Sequence, residues 1–148
     1  IHFHGGFTCD VAGTRAVTAP SWIVALAAAY PGAVIVAADV RERTVVTNGW
    51  ESSAERDVLS FISDLAPLPL AALLVTAVHK EGLLQGADVA LMADVARAAA
   101  VPVIASGGVS TMRDLENLDR AGVAGAVIGM ALYTGALDAR TLAKEYGG

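Results

Sequence analysis

The sequence predicts an α/β fold built on a mostly parallel sheet. Short apolar runs near residues 1–5, 33–39, 70–78, 101–106 and 124–129 alternate with helical segments, and that alternation implies parallel βαβ units. The runs are nearly continuous in apolar character, as strands covered on both faces must be. Two of them end directly in glycine turns, Ser106-Gly107-Gly108 and Gly125-Ala-Val-Ile-Gly129, within the single stretch 101–133.

Each element has a local reason. Ile1-His-Phe-His4 alternates like a strand and runs into Gly5-Gly6-Phe7-Thr8, and Gly13-Thr14 follows too soon for a helix to fit between the two turns. Residues 20–30 read as an alanine-rich helix that Thr18 or Ser21 can cap, with Trp22, Leu26 and Tyr30 on one face and Pro31-Gly32 as its stop. The strand at 33–39 ends in Asp39. Residues 40–50 look like a hairpin excursion closed by Asn48-Gly49. A helix then runs to Leu65, capped by Ser52 or Ser53, with Glu55 in its first turn. After the strand at 70–78 comes a polar loop, His79-Lys80-Glu81-Gly82, and then a helix at 87–100 with Asp88 near its start and Arg97 near its end, matching the helix dipole. Helices at 114–120 and 138–146 complete the chain.

Composition narrows the class. The chain has 148 residues, one domain's worth, and 55% of them are hydrophobic. Mean hydropathy is +0.56, which invites either a membrane or a sheet buried on both faces. The longest apolar candidate, 65–78, contains Pro67 and Pro69 and falls short of the roughly 18–20 residues a membrane helix needs. The membrane reading is rejected. Ten basic residues, scattered under a net charge of −5, argue against a nucleic-acid surface. One cysteine, Cys9, cannot form an internal disulfide and fits a reducing, cytoplasmic compartment. The chain opens without methionine and inside a strand-like run, which reads as something other than a natural amino terminus.

The glycine turns are candidate anion sites. Two adjacent parallel strands that each end in glycine, with a helix starting just beyond, offer converging backbone N–H groups and a positive helix end. A phosphate dianion needs both. The plainer role, a simple βα turn, accounts for one such turn more readily than for two side by side. Gly5-Gly6 followed by Gly13-Thr14 echoes Gly107-Gly108 followed by Gly129-Met130, as duplicated half-barrels with two phosphate sites would. Asp39 stands at the carboxyl end of its strand, the usual active rim of such folds; a turn or cap role is its alternative.

Asp39-Val-Arg followed by Asn48-Gly49-Trp50, then Val75-Thr76-Ala-Val-His-Lys-Glu81-Gly82, then Ala105-Ser-Gly-Gly-Val-Ser110 and Ile128-Gly-Met-Ala-Leu-Tyr133 resemble, in order and spacing, the carboxyl-terminal part of the HisA/HisF family of histidine biosynthesis. The likeness runs from Ala12 onward, and Gly49-Trp50 with the Ala-Leu-Tyr-Thr-Gly segment at 131–135 is closer to the isomerase branch than to the cyclases. The resemblance implies a TIM-type (βα)8 barrel, here an incomplete one with about five parallel strands forming a single domain over 1–148. It implies an Amadori rearrangement of a bis-phosphorylated ribotide, aminoaldose to aminoketose, without metal or cofactor, since an acid and a base facing each other across the substrate suffice. By the same resemblance Asp39, Glu81 and Thr76 belong to the catalytic centre. Ser106, Gly107, Gly108, Gly129 and Met130 would hold one phosphate, Gly5, Gly6, Gly13 and Thr14 the other, and Trp50 would stack on a substrate ring.

The departures from the family pattern are specific. Glu81 stands where an aspartate is usual, and Ala77 where an acidic residue is common. His79 could compensate, or be a solvated loop residue. Thr8 replaces a phosphate-facing arginine, for which Arg15 could substitute unless it only makes a surface salt bridge. The strands expected ahead of residue 1, with their acid/base aspartate, are not in the sequence, and five strands leave open edges that favour self-association. Two other readings stand beside the isomerase: a phosphate-binding partial barrel without catalysis, and a bifunctional isomerase that also accepts phosphoribosyl anthranilate.

Overall fold

The structure, a computed structural model, describes residues 10–46 and 56–147. A short strand β1 (Asp10–Ala12) leads through Gly13 into helix α1 (Thr14–Thr18), and α2 (Pro20–Ala29) follows. Pro20 opens α2 where its missing N–H costs nothing. Ala19, and neither Thr18 nor Ser21, occupies the N-cap position, and no side chain caps the helix. The buried face is Ile23 and Ala27, with Trp22 and Leu26 packed beside it. Tyr30, expected on that face, is 61% exposed because it is already the C-cap, at φ −131°, and the chain turns away there.

β2 (Val34–Arg41) is the longest strand, and β3 (Thr44–Val46) folds back on it antiparallel, with Asp39 opposite Val46 and Arg41 opposite Thr44. The expected Asn48-Gly49 turn lies outside the described residues; the strands turn at Glu42 and Arg43, with Glu42 left-handed at φ 56°. Tertiary contacts impose it. The Glu42 N–H donates to His79 Nδ1 at 3.1 Å, and Arg43 pairs with Asp94.

β4 (Arg56–Asp57) pairs antiparallel with β3, and α3 (Val58–Leu65) starts at once. Its cap is therefore Asp57, whose carboxylate accepts the N–H groups of Leu59 and Ser60, each at 3.0 Å. The expected caps Ser52 and Ser53, with Glu55, lie outside the described residues. β5 (Ala72–Ala77), α4 (Val89–Ala98) capped by Asp88 with Arg97 in its last turn, β6 (Val103–Ser106) and α5 (Met112–Arg120) follow. β7 (Gly125–Ala126), α6 (Met130–Tyr133) and α7 (Ala139–Tyr146) end the described chain.

Among the described residues the strands form one sheet in the order β4-β3-β2-β5-β6-β7, with β1 also paired to β2. β1, β2, β5, β6 and β7 run parallel, so the parallel strands expected near 33–39, 70–78, 101–106 and 124–129 are all present. The first described one is β1, a strand not expected from the sequence, while the run at 1–5 lies outside the described residues.

Residues at equal register on parallel neighbours point to the same side. One side carries Val36, Leu73 and Val103, and joins α2, α3, α4 and α5 in the main core. The other carries a thin layer, Ile35, Ala72 and Ile104, with Ala71 and Leu74 against it. Helices outside and a thin apolar layer inside is the construction of a TIM-type barrel wall, and among the described residues that wall does not close, since β7 pairs only with β6.

Replacing the α3 cap tests this account of the helix start. Asp57→Ala is expected to cost about 1 kcal/mol, read as a lower urea midpoint with unchanged slope, whereas a start at Ser52 or Ser53 would leave the midpoint where it was.

Candidate functional site

At the carboxyl ends of the parallel strands the inner face changes character. Ala37, Leu74 and Ile104 form one register row, and two residues further along Asp39, Thr76 and Ser106 form the next. The row facing inward is thus apolar up to the rim and polar at the rim itself. All three polar residues are partly exposed, as groups that meet a ligand must be.

Beside this row lies a cavity of about 410 Å³. Ser106, Gly107, Gly108, Gly129 and Met130 form one part of its wall, and Glu81 and Gly82 another. The structure therefore brings together five predicted phosphate-contacting residues and one predicted acid/base. Leu84, Val109, Val127 and Tyr133 complete the lining and make part of the rim apolar. Leu84 holds a left-handed backbone at φ 51°, a strained choice for a residue with a branched side chain.

Why the turn needs its glycines can be read from its surroundings. Gly107 sits at φ +93°, and a Cβ there would lie 2.6 Å from the Ala77 carbonyl oxygen. Gly108 sits at φ +81°, where a Cβ would strike the Gly86 carbonyl oxygen and come within 2.8 Å of Lys80 Cβ. Gly129 is different: a Cβ would meet nothing within 4 Å, so the space beside it opens into the cavity. No hydrogen bond among the described residues uses the N–H groups of Gly107, Gly108 or Gly129. Such free donors around a cavity suit an anion.

Asp114 fastens the far side of the turn. Its Oδ2 accepts the N–H and hydroxyl of Ser110, both at 3.0 Å, and the N–H and hydroxyl of Thr111 at 2.8 and 2.9 Å. Thr111 in return caps α5, taking the Asp114 N–H at 3.1 Å. Burial works against the carboxylate charge, but the hydrogen bonds from Ser110 and Thr111 outweigh it and hold the Asp114 pKa below its ordinary value. Its other oxygen faces Gly86, where an added Cβ at φ +88° would lie 3.1 Å from Oδ1.

Other expectations resolve differently. His79 is partly buried and does not line the cavity: its Nε2 pairs with Asp88 Oδ2 at 2.9 Å while Nδ1 accepts the Glu42 N–H. An accepting Nδ1 carries no proton, so the proton sits on Nε2 and points at Asp88. Arg15 makes no salt bridge among the described residues, and its guanidinium lies 4.7 Å from the Trp22 ring centre, a cation–π contact along the α1–α2 corner. Gly13 is the N-cap of α1, which Thr14 begins, just past β1 on the opposite edge of β2 from the cavity. These two are not brought to the cavity. Gly5, Gly6 and Trp50 lie outside the described residues, as does Thr8.

Sequence reading missed Asp114 and Gly86. The signal for the first was present: Thr111-Met-Arg-Asp114 is a capping-box pattern. Gly86 gave none, because its necessity comes from a side chain nearly thirty residues away.

Comparison with known proteins adds the following. The sequence model of a family described as histidine biosynthesis protein matches residues 3–138. The chain is 59% identical over 137 residues to the 1-(5-phosphoribosyl)-5-((5-phosphoribosylamino)methylideneamino) imidazole-4-carboxamide isomerase of Gemmatimonas aurantiaca, covering 93% of this chain and 58% of that protein. It is 52% identical over 144 residues to the enzyme of the same name from Myxococcus xanthus, covering 97% of this chain and 60% of the relative. With the Halorhodospira halophila protein of that name the identity is 39% over 142 residues, 95% of this chain and 58% of the relative. The chain thus spans about three fifths of the length of the curated relatives it matches.

Two stability measurements check this geometry. Gly107→Ala is expected to lose about 1–3 kcal/mol, from its left-handed backbone and the clash with Ala77, while Gly129→Ala loses much less; equal losses would contradict the open space at Gly129. For pH, a depressed carboxyl pKa contributes stability that is complete above the unfolded value, near about 3.9, and lost as pH falls through the lower folded value. Asp114→Asn should therefore be less stable than the parent near neutrality, and the gap should narrow below about pH 4.

Proposed function

This chain belongs to the histidine biosynthesis protein family, and on that premise we propose that its protein is an aldose–ketose isomerase acting on phosphoribosylformimino-5-aminoimidazole carboxamide ribotide (ProFAR). The observation that carries the proposal is the polar row Asp39–Thr76–Ser106 at one level of the rim, with the glycine-walled cavity and Glu81 beside it.

The chemistry asks little more than this. As the aminoaldose ring opens, a carboxylic acid gives a proton to the ring oxygen. A carboxylate then takes the proton from C2, and the enol so formed is reprotonated at C1 while its hydroxyl proton returns to the carboxylate that first acted as acid, leaving the aminoketose with no net oxidation. Asp39 and Glu81 are the acid/base candidates, and Thr76, between Asp39 and Ser106 in register, orients a substrate hydroxyl. Ser106, Gly107, Gly108, Gly129 and Met130 hold one phosphate through main-chain N–H groups and a hydroxyl, which fix a dianion without a positive side chain.

The second phosphate falls to Gly13 and Thr14 together with Gly5 and Gly6, across β2 from the first, and Trp50 stacks on a ring of the substrate. No metal or cofactor enters the scheme. No helix among the described residues is long and apolar enough to cross a membrane, and the protein is assigned to the cytoplasm on the company its relatives' chemistry keeps. Among the described residues β7 has an unpaired edge, which favours self-association, and sedimentation velocity at rising concentration would register it as a growing dimer peak.

Turnover of ProFAR by the protein, followed beside calorimetric binding, tests the assignment. Asp39→Asn and Glu81→Gln should each lower kcat by about 10²–10⁴-fold while substrate still binds. Parental rates in both variants would refute the isomerase, and tight binding without any turnover in the parent would identify a phosphate-binding partial barrel instead.

A further inference from the structure

We infer that Asp114 is a positioning residue that locks the anion-binding glycine turn to the loop carrying Glu81, so that anion binding and Glu81 placement are coupled. The inference rests on the reading of the cavity as an anion site. It starts from three consecutive close approaches. Gly107 packs on the Ala77 carbonyl at the end of β5, Gly108 packs on the Gly86 carbonyl and Lys80, and Gly86 packs on the Asp114 carboxylate. All three glycines are left-handed, at φ +93°, +81° and +88°.

The contacts bracket Glu81. Ala77 and Lys80 precede it and Gly86 follows it, so the loop that holds it is pinned to the glycine turn at both ends. Lys80 N–H donates to Ala77 O at 2.9 Å and Glu81 N–H to Val78 O at 3.3 Å, which makes the segment between a tight turn with little slack. Asp114 closes the arrangement. With Oδ2 it holds the main chain at Ser110 and Thr111, immediately after the glycine turn, and with Oδ1 it faces Gly86. One carboxylate thus touches both loops that wall the cavity, although it is not among the cavity's lining residues.

An N-cap role alone asks for less. A capping box needs the Thr111 hydroxyl on the Asp114 N–H and the Asp114 carboxylate on the Thr111 N–H. The two bonds to Ser110, the one buried polar residue among the described residues at 8% exposure, and the approach to Gly86 lie outside that requirement.

The test is a titration of the whole isotope-labelled protein with inorganic phosphate, followed by amide chemical shifts at Gly107, Gly108 and Gly129 and by amide exchange across residues 80–88. In the parent, phosphate should move the glycine signals and slow exchange in 80–88. Asp114→Ala should weaken phosphate binding about tenfold, equivalent to about 1.4 kcal/mol, and abolish the slowing. Asp114→Asn, which keeps an accepting oxygen, should fall between. Thr111→Ala removes the cap hydroxyl yet leaves the carboxylate on Ser110, and should keep phosphate affinity within about twofold despite a lower Tm. Equal affinity losses in Thr111→Ala and Asp114→Ala would reduce Asp114 to a helix cap and overturn the inference. So would phosphate binding in the parent with no change in exchange at 80–88. Glycine signals that do not respond to phosphate in the parent refute the anion site itself, a separate outcome that takes the coupling with it. Should Asp114→Ala not fold, Gly86→Ala and Asp114→Asn carry the same comparison.

Discussion

The turn after β6 lies so close to the loop after β5 that no side chain fits between them. Gly107 and Gly108 meet main-chain carbonyls of Ala77 and Gly86, and the strand that ends at Ala77 cannot retreat without breaking its pairing with β2. Much else follows from that contact. It fixes the level at which β6 stops relative to β5, which is what sets Ser106 beside Thr76 in register. It also turns the N–H groups of the glycines away from the protein's own acceptors, because a main chain packed on carbonyl oxygens at the Cα side has its donors left for the open side. A cavity with free donors is therefore a by-product of close packing rather than a separate feature.

On the other flank the hairpin of β2 and β3 is tied down by side chains. His79 joins the Glu42 N–H to Asp88, and Asp88 Oδ1 also takes the Leu91 N–H at 3.0 Å as the cap of α4. Arg43 reaches Asp94 on the same helix, which lowers the pKa of Asp94 chiefly through that hydrogen bond. The arginine pair is exposed, and pairs of that kind add little stability. The histidine link is partly buried and ties the Glu42 N–H to the α4 cap through Asp88. The position of one catalytic candidate therefore depends on a residue that does no chemistry.

This division explains what could be read in advance. Strand and helix positions were legible because burial imposes them through apolar runs, and Asp88, Arg97 and the glycine turns sit where local rules put them. The β2–β3 turn at Glu42 and Arg43 was not legible, because its contacts, His79 for the Glu42 N–H and Asp94 for Arg43, lie tens of residues away in sequence. The start of α3 was misread for a related reason, since pairing of β4 with β3 holds Arg56 and Asp57 extended and leaves Asp57 as the first available cap. Tyr30 shows the limit of a face read from spacing alone, because a face ends where the helix does. Of the candidate site, Asp39, Thr76, Ser106 and the glycine wall were legible from motif and strand end together. Asp114 and Gly86 were not assigned, since their importance lies in a contact between loops.

The two sides of the sheet argue for where chemistry can occur. The helix side is continuous core, and a substrate cannot enter it. On the inner side the apolar layer is only Ile35, Ala72 and Ile104 with small neighbours, and in a closed barrel the inward side chains of the opposite strands complete such a layer and fill the interior. Ligand is then excluded from every inward row except the last, and the last is the one where Ala37, Leu74 and Ile104 give way to Asp39, Thr76 and Ser106. The proton transfer proposed for this protein is confined to that level by packing beneath it, and the turn proposed to hold the anion stands at its edge with donors its own geometry leaves unspent.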